Sequence, residues 1–145
     1  MFRILSDSEV VLNELLVACR ESVDHYQDSI DTIKDTDIAV HFRSISDRRK
    51  LFLIRLTVAI RELGDLPSVP DPDKEVGEMI INHLGASLSA DDTEYIVAHR
   101  IKTDKHIQSL IDNAKEIEME KPHRSLVQDL SQHIEETIKE LSSLI

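Results

Sequence analysis

The chain of 145 residues is 41% hydrophobic and carries a formal charge of −11, from 28 acidic against 17 basic residues. That length can bury one continuous core without staples, while an acidic surface repels nucleic acid and anionic membrane, so neither is an expected partner. Three Gly, four Pro and the single Cys19 leave no material for Gly-rich phosphate loops or an internal disulfide, and point to an all-helical chain.

Ser6 followed three residues later by Glu9 is the capping-box pattern that opens a helix. Leu12, Leu15, Cys19, Ser22, Tyr26, Ser29 and Ile33 then recur three and four residues apart, predicting a first helix over about residues 8–34. The polar break Lys34 to Asp37 is short, so the second helix, about 37–63, should return antiparallel, with Phe42, Ile45, Arg49, Phe52, Leu56, Ala59 and Leu63 on its inner seam. Gly64, Pro67, Pro70 and Pro72 stop it. A crossover helix over 72–85 follows, with Val76, Met79, Ile80 and Leu84 on one face. Its connection is too long for a hairpin, so it should cross the length of the bundle. Ser89 and Asp92 open a third long helix, about 90–119, whose seam reads Ile96, Arg100, Thr103, Ile107, Leu110, Ala114 and Ile117. Pro122 begins the fourth, about 122–144, with Val127, Leu130, Ile134, Thr137, Ile138, Leu141 and Leu144. The expected fold is therefore a single all-α domain over 1–145, a four-helix bundle running up, down, down, up, with one long crossover carrying a short fifth helix.

The second helix is apolar on more than one side. Beside its inner seam, Leu51, Ile54 and Val58 form a second stripe. The crossover helix is expected to cover it; if the crossover lies elsewhere, the stripe is an interface and a homodimer through this helix is the expectation.

The order of helices resembles the ferritin-like superfamily, and more closely a group of small uncharacterised bacterial four-helix-bundle proteins with a ferritin-like domain of unknown function. Leu12, Asn13, Leu15, Arg20 and Ser22 in the first helix carry the resemblance, as do Arg49, Phe52, Leu63 and Gly64 in the second. The superfamily's di-iron site takes a Glu from each of two helices and a Glu-x-x-His from each of the other two. That set is missing here. The inward positions are Cys19, Ser22, Arg49, Arg100 and Thr103, the nearest motif in the second helix is Asp47-x-x-Lys50, and His133 has no Glu three residues before it. No metal and no cofactor is expected.

Arg49 falls on the inner seam near the level where a metal would sit, and a buried guanidinium needs an acidic partner. Asp104 is the first candidate and Glu21 the second. A polar layer of Arg49, Asp104 and Ser22 would replace the metal layer and fix helix register. The alternative is a seam slipped by one residue, with the Arg49 head in water. His25 with Glu21, and His41 with Asp37, have the spacing of surface pairs on one helix. His99 and His106 flank Thr103 on one face, His83 and His123 stand alone, and Cys19 and Tyr26 read as core residues. Motifs of nucleophilic, phosphate-binding or zinc chemistry are absent from the chain. The N-terminus lacks the apolar run of a secretory signal. The expectation is a cytoplasmic, non-catalytic bundle acting through self-association or protein partners. The competing class is a ferritin-like enzyme or carrier holding a single metal or small ligand near Cys19, Tyr26, Thr103 and His106.

Overall fold

Caps and turns punctuate four helices in a computed structural model that describes residues 6–64 and 92–145. They are α1 (Asp7–Thr32), α2 (Thr36–Glu62), α3 (Asp92–Lys115) and α4 (Lys121–Ser142). The Ser6 hydroxyl accepts from the Glu9 amide at 3.2 Å and caps α1. The Asp35 carboxylate accepts from the amides of Asp37 and Ile38 at 3.0 and 3.2 Å and opens α2. Gly64, at φ 85°, takes the left-handed conformation that closes α2 at little steric cost. At the end of α3 the Glu116 and Ile117 amides reach back only three residues, to Asn113 and Ala114, so this helix stops at Lys115, short of the expected 119.

Short connections set α1 against α2 and α3 against α4 as antiparallel pairs. The Ser8 hydroxyl, which donates to the Glu118 carbonyl at 3.3 Å, puts the start of α1 beside the end of α3. The pairs His123 to Glu62 and His41 to Glu140 tie opposite ends of α2 and α4. Each helix thus has two antiparallel neighbours, leaving α2 and α3 on one diagonal and α1 and α4 on the other. This is the up, down, down, up order of a ferritin-like bundle. The end of α2 and the start of α3 lie at opposite ends of it; residues 65–91, and with them the expected crossover helix and His83, lie outside the described residues.

The core has two halves. One joins Leu12, Leu15 and Leu16 of α1 to Leu56 and Ile60 of α2, Ile107 and Ile111 of α3, and Leu130 and Ile134 of α4. The other gathers Tyr26, Ile38, Phe42, Ile45, Ile96, Val97 and Leu141. Phe42 is fully buried and meets Tyr26 edge-on, with ring centroids 5.1 Å apart. Phe42→Ala is expected to lose about 3–5 kcal/mol in a urea titration, the range for deleting a buried aromatic ring.

The buried line of α3 keeps Ile96, Arg100, Ile107 and Ala114 of the expected seam and departs from it at two positions. Val97, Asp104 and Ile111 are fully buried, while Thr103 and Leu110 are half-exposed. The apolar pattern of α3 straddles two faces, and the charged Asp104 occupies the innermost one.

Candidate functional site

Between the two half-cores, at the middle of the bundle, lies a buried polar layer. Arg49 is fully buried on α2. Its guanidinium donates from Nη1 to Asp104 Oδ1 at 2.8 Å and from Nη2 to Oδ2 at 3.1 Å, a two-pronged pair that satisfies both carboxylate oxygens. Nη1 also donates to the Ser22 hydroxyl, and Nε donates to His133 Nε2 at 3.1 Å. The Tyr26 hydroxyl adds a 2.7 Å bond to Asp104 Oδ2, and the Tyr26 ring lies under the Arg49 guanidinium at 5.1 Å.

The structure therefore brings Arg49, Asp104 and Ser22 together and leaves Glu21 out of Arg49's partners; Glu21 is half-buried on the α1 side of a groove. Tyr26 and His133 complete the layer and were not legible as members of it. The signal for His133 existed: it stands one helical turn from both Leu130 and Thr137, on the stripe facing inward.

The environment fixes protonation states. Burial alone would lower the Arg49 pKa, but the Asp104 carboxylate outweighs it and holds the guanidinium charged. Burial, joined by Asp104, raises the Tyr26 phenol well above its usual value. Cys19 packs fully buried in the core, and that burial pushes its thiol up to about 12, which disfavours the thiolate. Burial, with Arg49 and Arg48 beside it, lowers His133 to about 3, consistent with a neutral ring whose Nε2 accepts from Arg49 and whose proton sits on Nδ1.

Two histidines sit differently from the surface positions that one-helix spacing suggests. His41 bonds Glu140 of α4 at 3.0 Å in place of Asp37, and the same carboxylate takes Arg48 at 3.1 Å. His25 is only 5% exposed, so it is a buried residue and not a surface one. Burial, followed by the fields of Arg100 and His99, lowers it to about 4. His123 is buried with its Nε2 on Glu62 at 3.2 Å.

The layer reaches the surface on one side. An open groove of about 680 Å³ runs between α1 and α3, with Ser22 and Thr103 at its middle, His25, His99 and His106 along it, and Val17, Ala18 and Leu110 as apolar wall. Cys19 and Tyr26 are fully buried and take no part in it. Among the described residues the donor set at the bundle centre does not fit a di-iron group: it holds one carboxylate, with both oxygens occupied by a guanidinium, and a second buried cation, Arg100, 6.0 Å from the Tyr26 ring. Among the described residues no group of three or more His, Cys, Asp or Glu side chains is placed to hold a metal ion.

The second stripe of α2 lies on the outside. Leu51, Ile54 and Val58 are 61%, 62% and 50% exposed, and Val40 further along the same face is 61% exposed. No helix among the described residues is long and apolar enough to cross a membrane.

No family model matches the chain, and no curated protein matches it significantly. Among solved structures it is similar to a two-domain protein from Anabaena variabilis containing DJ-1/ThiJ/PfpI-like and ferritin-like domains. The match has a TM-score of 0.75 at 17% identity and covers 95% of this chain but 35% of that one. With the helix order and the diagonal arrangement above, that likeness gives this chain a ferritin-like four-helix fold.

Proposed function

We propose that the protein is a non-catalytic ferritin-like bundle that acts by association, akin to the small uncharacterised bacterial bundles its helix motifs resemble, and that the outer face of α2 is its contact surface. One observation carries the reading: a helix whose inner side is committed to the core and the Arg49 layer presents Leu51, Ile54 and Val58 outward. Large apolar side chains grouped on one exposed face mark interaction surfaces. The bundle centre supports the same reading, because closely packed side chains and a fully bonded ion pair occupy the place where related folds would hold a reactive group. The Anabaena neighbour carries its ferritin-like domain beside a second domain, which supports a bundle that works next to another folded unit. A cytoplasmic location is part of the proposal and rests on the single unpaired Cys19.

The α1/α3 groove favours a second reading, a carrier of a small ligand. Its volume is in the range of small-molecule sites and it has convergent polar groups in Ser22, Thr103 and His99. It is open along its length, however, and the closed sites of such carriers bury most of their ligand.

Leu51→Glu/Ile54→Glu tests the association reading in the isolated chain. With the face free, urea unfolding should stay within about 0.5 kcal/mol of wild type, as for surface substitutions. A loss of about 2 kcal/mol or more would mean that the chain covers the face itself, and the association reading would fall.

A further inference from the structure

The outer face of α2 is apolar in a way that selects a partner. Ser44, Leu51 and Val58 fall on the first positions of a heptad pattern, and Val40, Asp47 and Ile54 on the fourth, so the exposed apolar residues lie on one coiled-coil-like seam. Of the six positions that flank this seam between Val40 and Val58, four are Arg or Lys and the others are His41 and Thr57. Arg43 and Lys50 border one edge, and Arg48 and Arg55 border the other. On the second edge the charges are engaged at the margin of α4, Arg48 with Glu140 at 3.1 Å and Arg55 with Asp129 at 2.9 Å. On the first edge Arg43 is exposed with no ion pair among the described residues, and Lys50 has only Asp47 at 4.0 Å. In a chain of net charge −11, α2 thus carries six basic residues against three acidic ones.

Flanking charges set partner choice in paired helices. A second copy of this chain docking antiparallel by the same face would set Arg43 and Lys50 of one copy against Arg43 and Lys50 of the other, a like-charge juxtaposition that disfavours the pair. We propose that the α2 face receives an acidic amphipathic helix of another protein, with Leu or Ile on its seam and Glu or Asp on its flanks. Val40 to Val58 spans about 27 Å along the helix, so the complementary segment is about five turns long. The proposal rests on the association reading above and names the chemistry of the partner that reading leaves open.

The probe is a fluorescein-labelled synthetic helix of three heptads with Leu and Ile on the seam and Glu on both flanks, read by anisotropy against the full chain. A matched helix with Lys on the flanks is the control. The acidic helix should bind at least about tenfold more tightly than the control. Raising ionic strength from about 0.01 M to about 1 M shortens the Debye length from about 30 Å to about 3 Å and should erase most of that preference. Leu51→Ser/Ile54→Ser should weaken the acidic helix by about tenfold or more. Arg43→Glu/Lys50→Glu should invert the preference toward the Lys helix, an outcome that non-specific stickiness does not produce. Equal binding of the two helices, or binding of neither, overturns the proposal. So does a wild-type dimer in native mass spectra that Leu51→Ser/Ile54→Ser abolishes, since the face then belongs to a second copy. Binding that appears only after Val76→Glu/Met79→Glu/Ile80→Glu would assign the face to residues 65–91 and overturn it as well. The first two results leave the association reading intact when Leu51→Glu/Ile54→Glu is neutral in stability; the third removes both.

Discussion

Asp104→Leu should destabilise the bundle by about 3–5 kcal/mol, the cost of leaving a buried guanidinium without its carboxylate. Arg49 is fully buried, and Asp104 accepts both prongs of its fork, so removing the carboxylate leaves the charge inside the core without its counter-ion. The double replacement Arg49→Met/Asp104→Leu removes both charges together and should recover most of the loss, because apolar side chains of similar volume fill such a site as well as an ion pair does. Urea denaturation of the two single variants and the double closes the cycle. The Tyr26 hydroxyl and His133 ring are orphaned in the double variant, which limits its recovery to within about 1–2 kcal/mol of wild type. Arg49→Met alone that folds as well as wild type would show that the pair is not needed.

Acid should loosen the same layer. His133 and His25 are held neutral in the fold, with pKa values lowered from 6.5 to about 3 and about 4. Between those values and 6.5 the unfolded chain binds protons that the folded chain refuses, so stability is full above about pH 6.5 and declines as the pH falls toward 4. Each tenfold loss of proton affinity on folding corresponds to about 1.4 kcal/mol, and after solvent screening the two rings together should cost about 3–5 kcal/mol by about pH 4.5. For His133 the cause is specific: a proton on Nε2 destroys the bond from Arg49 Nε and sets two cations face to face. His133→Gln supplies a carbonyl oxygen to the same donor and should flatten about half of the decline between about pH 6.5 and 4.5 in thermal melts followed by circular dichroism. An unchanged acid slope in His133→Gln would remove this explanation.

The four long helices, their order and the inward phase of Arg49 were legible because each depends on local pattern. Spacing of three and four residues marks a buried stripe, and Ser6, Asp35, Gly64 and Pro122 punctuate it. Asp104 was legible by adjacency to a seam that holds at Ile96, Arg100, Ile107 and Ala114 and yields to it only beside Thr103. The rest depends on which helices become neighbours. His41 could be paired on its own helix by spacing, but Glu140 reaches it only because α2 and α4 pack antiparallel. His25 and His133 look like surface histidines until Ser22, Ser29 and Thr137 are read as parts of an inward polar stripe. Heptad spacing places Arg48 and Arg55 beside the outer α2 stripe, but their engagement by Glu140 and Asp129 follows only from the packing of α4.

The Arg49 fork also has a mechanical meaning. α2 and α3 occupy one diagonal of the bundle without close backbone approach, so this side chain braces a span that backbone contacts leave open. A diagonal tie resists shear. Sliding either helix by a single turn, about 5.4 Å, would pull both prongs off the carboxylate at once. The two apolar half-cores could tolerate such a slip by exchanging one greasy contact for another; the tie gives the slipped arrangement no equivalent, and the bundle keeps one register.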